Sequence, residues 1–403
     1  MWIPESCNVI EAAIAAGTLV ETPSFDGKAM LPAVPAKNRD LAVDVASMAT
    51  DGGVLLYGVK EDRNGALTIP NPIALAGARE RVAQIVETSI AEVPVVDIRA
   101  YPTTHDPSIG YLLVIVPQSA RAPHQVTVGS DLRFYGRGAT GNRILGEHEI
   151  ALLYQRRLSW ERDRDALLDQ TIADAPFPPS DQFGFVHAFA HPVVTDRGLW
   201  DRALNAIGDH ERLLTELRLA AADLQTTSEY DPRLNSLARW DDLGADRVRL
   251  SSLDERMRSD GPGALALDAV FDTDGSGRLF SSRAVYTDES LAHPATTKRI
   301  FLEIVIAGNL ASFFATLSRL YELAGYHGQV DIGAAVTGAA GARSMILARA
   351  GGYFFTHPYG ADVYRRTTRV AAHQLAEPKP IVRDLLRRLF RSSTGEPEFD
   401  PFA

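Results

Sequence analysis

The octapeptide ETPSFDGK, residues 21–28, places the carboxylates of Glu21 and Asp26 close together in the chain, with Lys28 two positions after the second. Carboxylate oxygens are hard ligands of the kind that Mg²⁺ and Mn²⁺ prefer. A metal ion held by such a cluster activates water and offsets negative charge while a phosphodiester is cleaved. The other interpretation is an ordinary charged surface turn, because this spacing often occurs by chance. The octapeptide therefore raises two hypotheses, a metal-assisted phosphodiester site and a solvated turn.

A third carboxylate for such a site follows the segment VLLYGV, 54–59, which reads as a buried strand after the turn signal DGG. A residue at the end of a strand is fixed by the sheet, while the following loop leaves room for a substrate. Lys28 and Lys60 would then contact phosphate or assist the leaving group. The predicted catalytic residues are Glu21, Asp26, Lys28 and either Glu61 or Asp62, and the predicted metal ligands are Glu21, Asp26 and Asp62.

The region 121–143 is rich in arginine and glycine within an acidic chain. Arginine forks match phosphate oxygens bidentately, and Tyr135 could stack on a base. The predicted nucleic-acid-binding residues are Lys60, Arg121, Arg133, Tyr135, Arg137 and Arg143. The alternative is a hairpin with solvated arginines and one structural salt bridge.

Composition limits the class of protein. The 403 residues are 45% apolar and 23% charged, as in a soluble globular protein, and the net charge is -10. This acidic balance argues against a protein that coats nucleic acid or anionic membranes nonspecifically, although it allows a local basic groove. A single cysteine, Cys7, cannot form an intramolecular disulfide or a thiolate zinc cage. We expect a cytoplasmic protein with no signal peptide at MWIPESC and no membrane partner.

The predicted elements divide the chain into two α+β domains. Helices are expected at 8–17, 38–50, 77–90 and 146–157, with strands at 54–59, 95–101 and 111–117. This order predicts a mixed-sheet domain over residues 1–160. The proline-rich DAPFPPSD predicts a linker over 161–182, and residues 183–403 form the second domain. Its apolar stretch, inside a helix expected at 296–324, carries Glu303 and Asn309, so a buried core helix is favoured over a membrane span.

Several metal or nucleotide motifs in the sequence are incomplete. DTDGSG, 272–277, matches the start of a calcium-binding loop, but its twelfth position is Arg283, so a hairpin turn is predicted. His187 and His191 have the spacing of a zinc pair, but FVHAFAHP reads as a strand and favours structural histidines. GRGATG lacks the G-K-[ST] of a phosphate loop. No nucleotide or organic cofactor is indicated.

Several motifs in order resemble the AlbA-like domain of the Schlafen family. ETPSFDGK is similar to the family's E-[ST]-x-x-x-E-x-K, and ASMATDGG followed by VLLYGVKED is similar to its alanine-rich helix, A-N-x-x-G-G and strand ending G-V-x-[DE]. Later come YLLVIVP, the pair Pro123-His124, YGRG at 135–138, and Glu149-Ile150. The resemblance spans roughly residues 5–157.

The resemblance implies a metal-dependent endoribonuclease site for structured RNA such as transfer RNA, using Mg²⁺ or Mn²⁺. Carried over by position, its acidic residues are Glu21, Asp26 and one of Glu61 or Asp62. The chain departs from the family pattern at Asp26, where glutamate is usual, and at Gly27, where a bulky apolar residue is usual. It departs again at Thr50-Asp51 and at Ala139, which takes the place of the last glycine. Each departure leaves the carboxylates in place.

Two functions follow as expectations. The first is an endoribonuclease that acts as a homodimer, because the family groove is built from two such lobes and this chain shows one; its second domain would sense a trigger in defence or stress. The second is a non-catalytic DNA- or RNA-binding regulator whose second domain recognises a ligand or partner. In the second case the carboxylates are structural.

Overall fold

The structure is a computed structural model of the chain, which divides into two compact units, Met1–Glu161 (unit 1) and Arg162–Ala403 (unit 2). Both helices and mixed or antiparallel sheets are present, so the fold is α+β, as predicted. The structure describes residues 2–32, 34, 37–128, 132–138, 141–177, 182–193, 198–222, 234, 239–242, 247–253, 266–288, 298–347, 357–395 and 400–402.

The elements of unit 1 follow the predicted order. Its helices are α1 (Cys7–Ala15), α2 (Asn38–Met48), α3 (Ala78–Ser89) and the start of α4 (Glu147–Ala173). Its strands are β1 (Phe25–Lys28), β2 (Gly53–Tyr57), β3 (Val59–Glu61), β4 (Leu67–Pro70), β5 (Ile73–Ala74), β6 (Ile90–Ala91), β7 (Asp97–Pro102), β8 (Ile109–Val116), β9 (Gln125–Val126), β10 (Arg133–Gly138) and β11 (Gly141–Ile144).

The central sheet of unit 1 has helices on both faces. Its strand order is β1-β2-β8-β5, with β7 also on β8; β1 runs parallel to β2, and β2 is antiparallel to β8. Alternate residues of β2 enter different cores, because side chains alternate across a strand. Val54 and Leu56 pack with α1, whereas Leu55 and Tyr57 pack with α2 and α3. The apolar run VLLYGV is therefore buried on both sides, as its composition predicts.

A second sheet of unit 1 covers α2 on its far side. This sheet has the order β11-β10-β9-β6, and Tyr135 of β10 joins the core around α2. The sequence predicts that Asp44 lies on a helical face away from Leu41, Val45 and Met48. The structure buries Asp44 nonetheless, because the β10–β11 hairpin packs against that second face of the helix.

Unit 2 is built on one large sheet. Its strands are β12 (Phe183–Pro192), β13 (Arg239–Asp242), β14 (Arg247–Ser251), β15 (Leu267–Asp272), β16 (Gly277–Asp288), β17 (Lys298–Phe301), β18 (Gln329–Thr337), β19 (Arg343–Ser344) and β20 (Tyr364–Ala371). They are ordered β13-β14-β15-β16-β12-β18-β20, with β17 on β16 and β19 on β17. The helices are the end of α4, α5 (Leu199–Ile207), α6 (His210–Ala222), α7 (Glu303–Leu323), α8 (Met345–Leu347) and α9 (Pro378–Thr394), with a 3₁₀ turn at Ala372–Ala376.

The apolar helix α7 lies in the main core of unit 2, as predicted. Among the described helices it is long and apolar enough to cross a membrane by length and composition, and 78% of that apolar window is buried inside the structure. Its first part differs from the prediction, because Lys298–Phe301 is strand β17 and the helix begins at Glu303. Pairing with β16 holds these residues extended.

Helix α4 extends further than its sequence pattern indicates. The predicted helix stops at 157 and the predicted linker covers 161–182, but the observed helix continues to Ala173. Leu168 is fully buried against Phe189 and Ala335, and this packing stabilises a stretch whose own apolar periodicity is weak. Residues 178–181 of the predicted linker lie outside the described residues.

The two incomplete metal motifs are ordinary structural elements. DTDGSG forms the turn between β15 and β16, as predicted. His187 and His191 both lie on strand β12, where His187 Nε2 is 3.0 Å from Thr337 Oγ1 and His191 Nδ1 is 2.7 Å from Ser276 Oγ.

Candidate functional site

A cavity of about 690 Å³ opens beside the edge strand β1 of unit 1. Four separate parts of the sequence line it: the segment around β1, the middle of α2, strand β3, and the β10–β11 hairpin. The charged and amide side chains in its lining are Glu21, Asp26, Lys28, Asp44, Lys60, Glu61, Arg137 and Asn142. We call it the β1 cavity. It collects most of the residues that the octapeptide and the strand end predict to act together.

Asp26 and Lys28 form the base of the cavity. They lie two residues apart on β1, so both side chains project to the same face of the strand. Lys28 Nζ is 2.9 Å from Asp26 Oδ1, and Asp26 is only 5% exposed. Burial alone would raise the pKa of Asp26, but the Lys28 ammonium, followed by Glu21 and Arg137, outweighs burial and lowers that pKa. Asp26 is therefore a buried carboxylate that keeps its charge.

Glu21 lies at the exposed rim, before the tight turn that leads into β1. Its Oε1 accepts a hydrogen bond from the backbone N–H of Gly27 at 3.2 Å, so the side chain folds back over the turn. Partial burial, and then the neighbouring charge of Asp26, raise the pKa of Glu21. The pair predicted from ETPSFDGK is thus adjacent in space, with its two pKa values shifted in opposite directions.

Asp44 is a carboxylate of the cavity that the sequence interpretation missed. Its Oδ2 lies 3.7 Å from Lys28 Nζ, and its Oδ1 accepts a hydrogen bond from Asn142 Nδ2 at 2.6 Å. Burial is the main reason that the pKa of Asp44 is raised, although Lys28 and Asn142 oppose the shift. The available signal was a single acidic residue inside the otherwise apolar or small run LAVDVASM, 41–48.

Arg137 joins the hairpin to the base of the cavity. Its Nη1 is 3.2 Å from Asp26 Oδ2 and donates to Asn142 Oδ1 at 3.0 Å. Its remaining nitrogens donate to the carbonyl oxygens of Pro23 and Thr22. Arg137 and Asn142 are direct partners across β10 and β11, a pairing that the turn in GRGATGNR could have indicated.

Strand β3 brings Lys60 and Glu61 into the cavity and leaves Asp62 out of it. A register irregularity against β4 falls between Lys60 and Glu61, with the extra residue, Thr68, on β4, and both β3 residues line the cavity. Asp62 Oδ1 instead accepts hydrogen bonds from the backbone N–H groups of Asn64 and Ala66 at 2.8 and 3.0 Å. These backbone bonds lower the pKa of Asp62. Its carboxylate therefore closes the β3–β4 turn.

Most of the predicted arginine surface is engaged in contacts within unit 1. Arg143 forms a fork with Glu149 at 2.8 and 2.5 Å, and Arg121 Nη1 lies 3.5 Å from Glu92 Oε2. Arg133 is exposed at the start of β10 and does not line the β1 cavity. Arg121 and Arg143 therefore lie in exposed ion pairs, and their assignment to nucleic-acid binding stays a prediction.

Tyr135 is buried rather than displayed for stacking. Its hydroxyl accepts a hydrogen bond from Arg39 Nη2 at 2.8 Å, and the Arg39 guanidinium lies 5.8 Å from the ring centre. Tyr135 lines a second cavity of about 650 Å³, which shares Lys28, Asp44 and Asn142 with the β1 cavity. The two cavities are therefore adjacent.

The residues as arranged do not fit the divalent metal implied by the resemblance. Of the two candidates for the third carboxylate, Glu61 lines the cavity and Asp62 is held by its own turn, while the two oxygens of Asp26 face Lys28 and Arg137. Mg²⁺ needs ligand oxygens at about 2.0–2.1 Å, so it would have to displace a resident cation. Within the described ranges, no group of three or more His, Cys, Asp or Glu side chains is placed to hold a metal ion.

Comparisons with known proteins extend the description of the fold only slightly. No family model matches the chain, and no curated protein matches it. Among solved structures, it is similar to the N-terminal domain of a protein related to the ATP-dependent DNA helicase RecG, from Nitrosomonas europaea, determined by solution NMR. The two are 18% identical, and the match covers 36% of this chain and 97% of the other with a TM-score of 0.25. At that score the likeness carries no information about activity.

Proposed function

We propose that unit 1 binds nucleic acid at the β1 cavity, with RNA as the preferred ligand. The observation that carries the proposal is convergence: Glu21, Asp26, Lys28, Lys60, Glu61 and Arg137 come from separate motifs, yet they line one cavity. These motifs are the ones that resemble the Schlafen AlbA-like domain.

The charges of the cavity suit a nucleotide chain better than an isolated phosphate. Lys60 supplies an exposed cation for phosphate oxygens, while the exposed carboxylates of Glu21 and Glu61 can accept hydrogen bonds from sugar hydroxyls and base amino groups. The 2′-hydroxyl is the donor that distinguishes RNA from DNA. The adjacent cavity beside Tyr135 extends the available length beyond one nucleotide.

Binding is tested by fluorescence anisotropy with a labelled RNA hairpin and its DNA counterpart over a salt series. We expect Lys60→Ala to weaken RNA binding and to reduce the slope of log K against log salt by about 1, as for the loss of one phosphate contact. The matched control is Lys379→Ala, which removes the same charge from helix α9 of unit 2. Equal losses in both variants, or no RNA binding at low salt, would reject the proposal.

The endoribonuclease predicted from the resemblance is a separate, finer proposal. It is examined by incubating the protein with total transfer RNA in Mn²⁺, Mg²⁺ or EDTA, beside Glu21→Ala and Asp62→Ala. Metal-dependent fragments that disappear in Glu21→Ala would support cleavage at the cavity. Loss of cleavage in Asp62→Ala as well would require this residue to leave the turn that it closes.

The homodimer, the sensing role of unit 2, its link to defence or stress, and the cytoplasmic location stay predictions. Light scattering of the purified chain, alone and with RNA, measures directly whether the homodimer forms. A dimer that forms only with RNA would indicate that two copies of unit 1 share one ligand.

A further inference from the structure

The centre of the β1 cavity already contains a cation. The Lys28 ammonium lies between two carboxylates from different elements, 2.9 Å from Asp26 Oδ1 on β1 and 3.7 Å from Asp44 Oδ2 on α2. Both aspartates are buried. Two buried carboxylates this near to one ammonium repel each other strongly unless positive charge stands between them.

Arg137 supplies the remaining positive charge on the other side of the same carboxylates. Its Nη1 is 3.2 Å from Asp26 Oδ2 and 3.9 Å from Asp44 Oδ1. Arg137 is held in place by further bonds to Asn142 and to the carbonyl oxygens of Thr22 and Pro23. Lys28 has a half-exposed, flexible stem, so of the two cations it is the one that can be removed without dismantling the hairpin.

We infer that the Lys28 ammonium is a tethered counter-ion that occupies a cation position between Asp26 and Asp44, and that removing it turns this position into a divalent-cation site. A divalent ion between Asp26 and Asp44 would meet the ammonium that lies there, 2.9 Å from Asp26 Oδ1 and 3.7 Å from Asp44 Oδ2, and the two positive charges repel each other. With the ammonium gone, Asp26 Oδ1 and Asp44 Oδ2, the two carboxylate oxygens next to it, are left as hard ligands at the cavity, and water from the cavity can complete the coordination of a divalent ion.

Lys28 also holds its charge across the physiological pH range. Burial alone would lower the pKa of Lys28, but the charges of Asp44, Asp26 and Glu21 outweigh it and raise that pKa. The counter-ion is covalently tethered to the chain, unlike a metal ion whose occupancy depends on its concentration. This inference concerns the cation position itself and does not depend on whether nucleic acid binds.

The test measures free Mn²⁺ by its electron paramagnetic resonance signal during titration of the full chain. The wild type and Lys28→Arg, which keeps the charge, should bind no Mn²⁺ at this position. Lys28→Met, which keeps the apolar stem, should bind one Mn²⁺ with an affinity about tenfold or more above the weakest binding that the titration of Lys28→Arg could detect. Lys28→Met combined with Asp26→Asn should lose that site again, since it lacks a ligand.

Two results would overturn the inference. One is a Lys28→Met protein that is folded by circular dichroism and binds no more Mn²⁺ than Lys28→Arg. The other is a wild type that binds Mn²⁺ and loses this binding in Asp26→Asn, because the ammonium would then not occupy the position. If Lys28→Met does not fold, Lys28→Gln, which also removes the charge, takes its place in the first comparison.

Discussion

Asp26 in unit 1 and Asp331 in unit 2 are both 5% exposed, yet they are neutralised in different ways. Asp331 lies opposite Arg369 in the β18–β20 pair and receives both prongs of its guanidinium, at 2.6 and 2.5 Å. Asp26 shares Lys28 and Arg137 with Asp44, and all four side chains line an open cavity. A saturated fork inside a sheet has no capacity left for a ligand, whereas a shared network at a cavity can be rearranged by one.

Glu303 shows a third way to bury a carboxyl. It is fully buried at the start of α7, where its Oε2 accepts a hydrogen bond from the backbone N–H of Met345 at 3.2 Å. Burial raises its pKa to about 7, while the Ser344 hydroxyl and nearby backbone N–H groups only reduce that shift. Without a cation close by among the described contacts, the group responds to burial by holding its proton near neutral pH.

The largest expected effect in the comparison of Asp331 with Asp26 comes from removing the charge of Asp331. Asp331→Asn leaves the buried guanidinium of Arg369 without its carboxylate, and breaking a buried pair on one side typically costs about 3–5 kcal/mol. Native-state hydrogen exchange in β18 and β20 should show that the opening free energy falls by that amount. A decrease of less than about 1 kcal/mol in the opening free energy would mean that the fork contributes little net stability.

The next effect is a dependence of the stability of unit 2 on pH. The folded pKa of Glu303 is above its ordinary value. The contribution of Glu303 to the unfolding free energy is therefore fully present below about pH 4.5 and is lost as pH rises through about 7. The difference in unfolding free energy between wild type and Glu303→Gln should therefore change by roughly 3 kcal/mol across that window.

This difference must be measured between variants rather than in the wild type alone. Burial lowers the pKa of His187 to about 4. The contribution of His187 to the unfolding free energy therefore increases with pH over much of the same range, opposite to that of Glu303. Urea unfolding of both proteins at several pH values cancels that shared term. A constant difference from pH 4.5 to 7.5 would show that Glu303 does not titrate there.

The smallest expected effect is that of Asp26→Asn in unit 1. Lys28 keeps Asp44, and Arg137 keeps Asn142 and two carbonyl oxygens, so no cation is left without a partner. We expect a loss of about 1–2 kcal/mol at pH 7, measured by hydrogen exchange in β1 and β2. A loss equal to that of Asp331→Asn would show that both networks are structural.

The same residue also predicts a pH trend for unit 1. The folded pKa of Asp26 is lowered, so its stabilising contribution is present above the ordinary aspartate pKa and is lost as pH falls through the folded value. The wild type should therefore approach the stability of Asp26→Asn in acid. Parallel pH profiles for the two proteins would contradict this.

Local relations in the chain could be predicted from the sequence with some success. Composition predicts the buried strand β2, and the α+β class follows from the order of the elements. The motifs also identify much of what lines the β1 cavity. These features depend on residues a few positions apart, where backbone geometry fixes the spacing.

Contacts between distant parts of the chain were decided by the tertiary structure. Asp44 and Asn142 are 98 positions apart, and only the packing of the β10–β11 hairpin on α2 brings them within 2.6 Å. Glu61 rather than Asp62 lines the cavity because the backbone N–H groups of the β3–β4 turn hold the Asp62 carboxylate. The placement of the Lys28 ammonium between two carboxylates likewise depends on the fold bringing Asp44 of α2 near Lys28 of β1. Sequence supplies the charges, but packing determines which of them face one another.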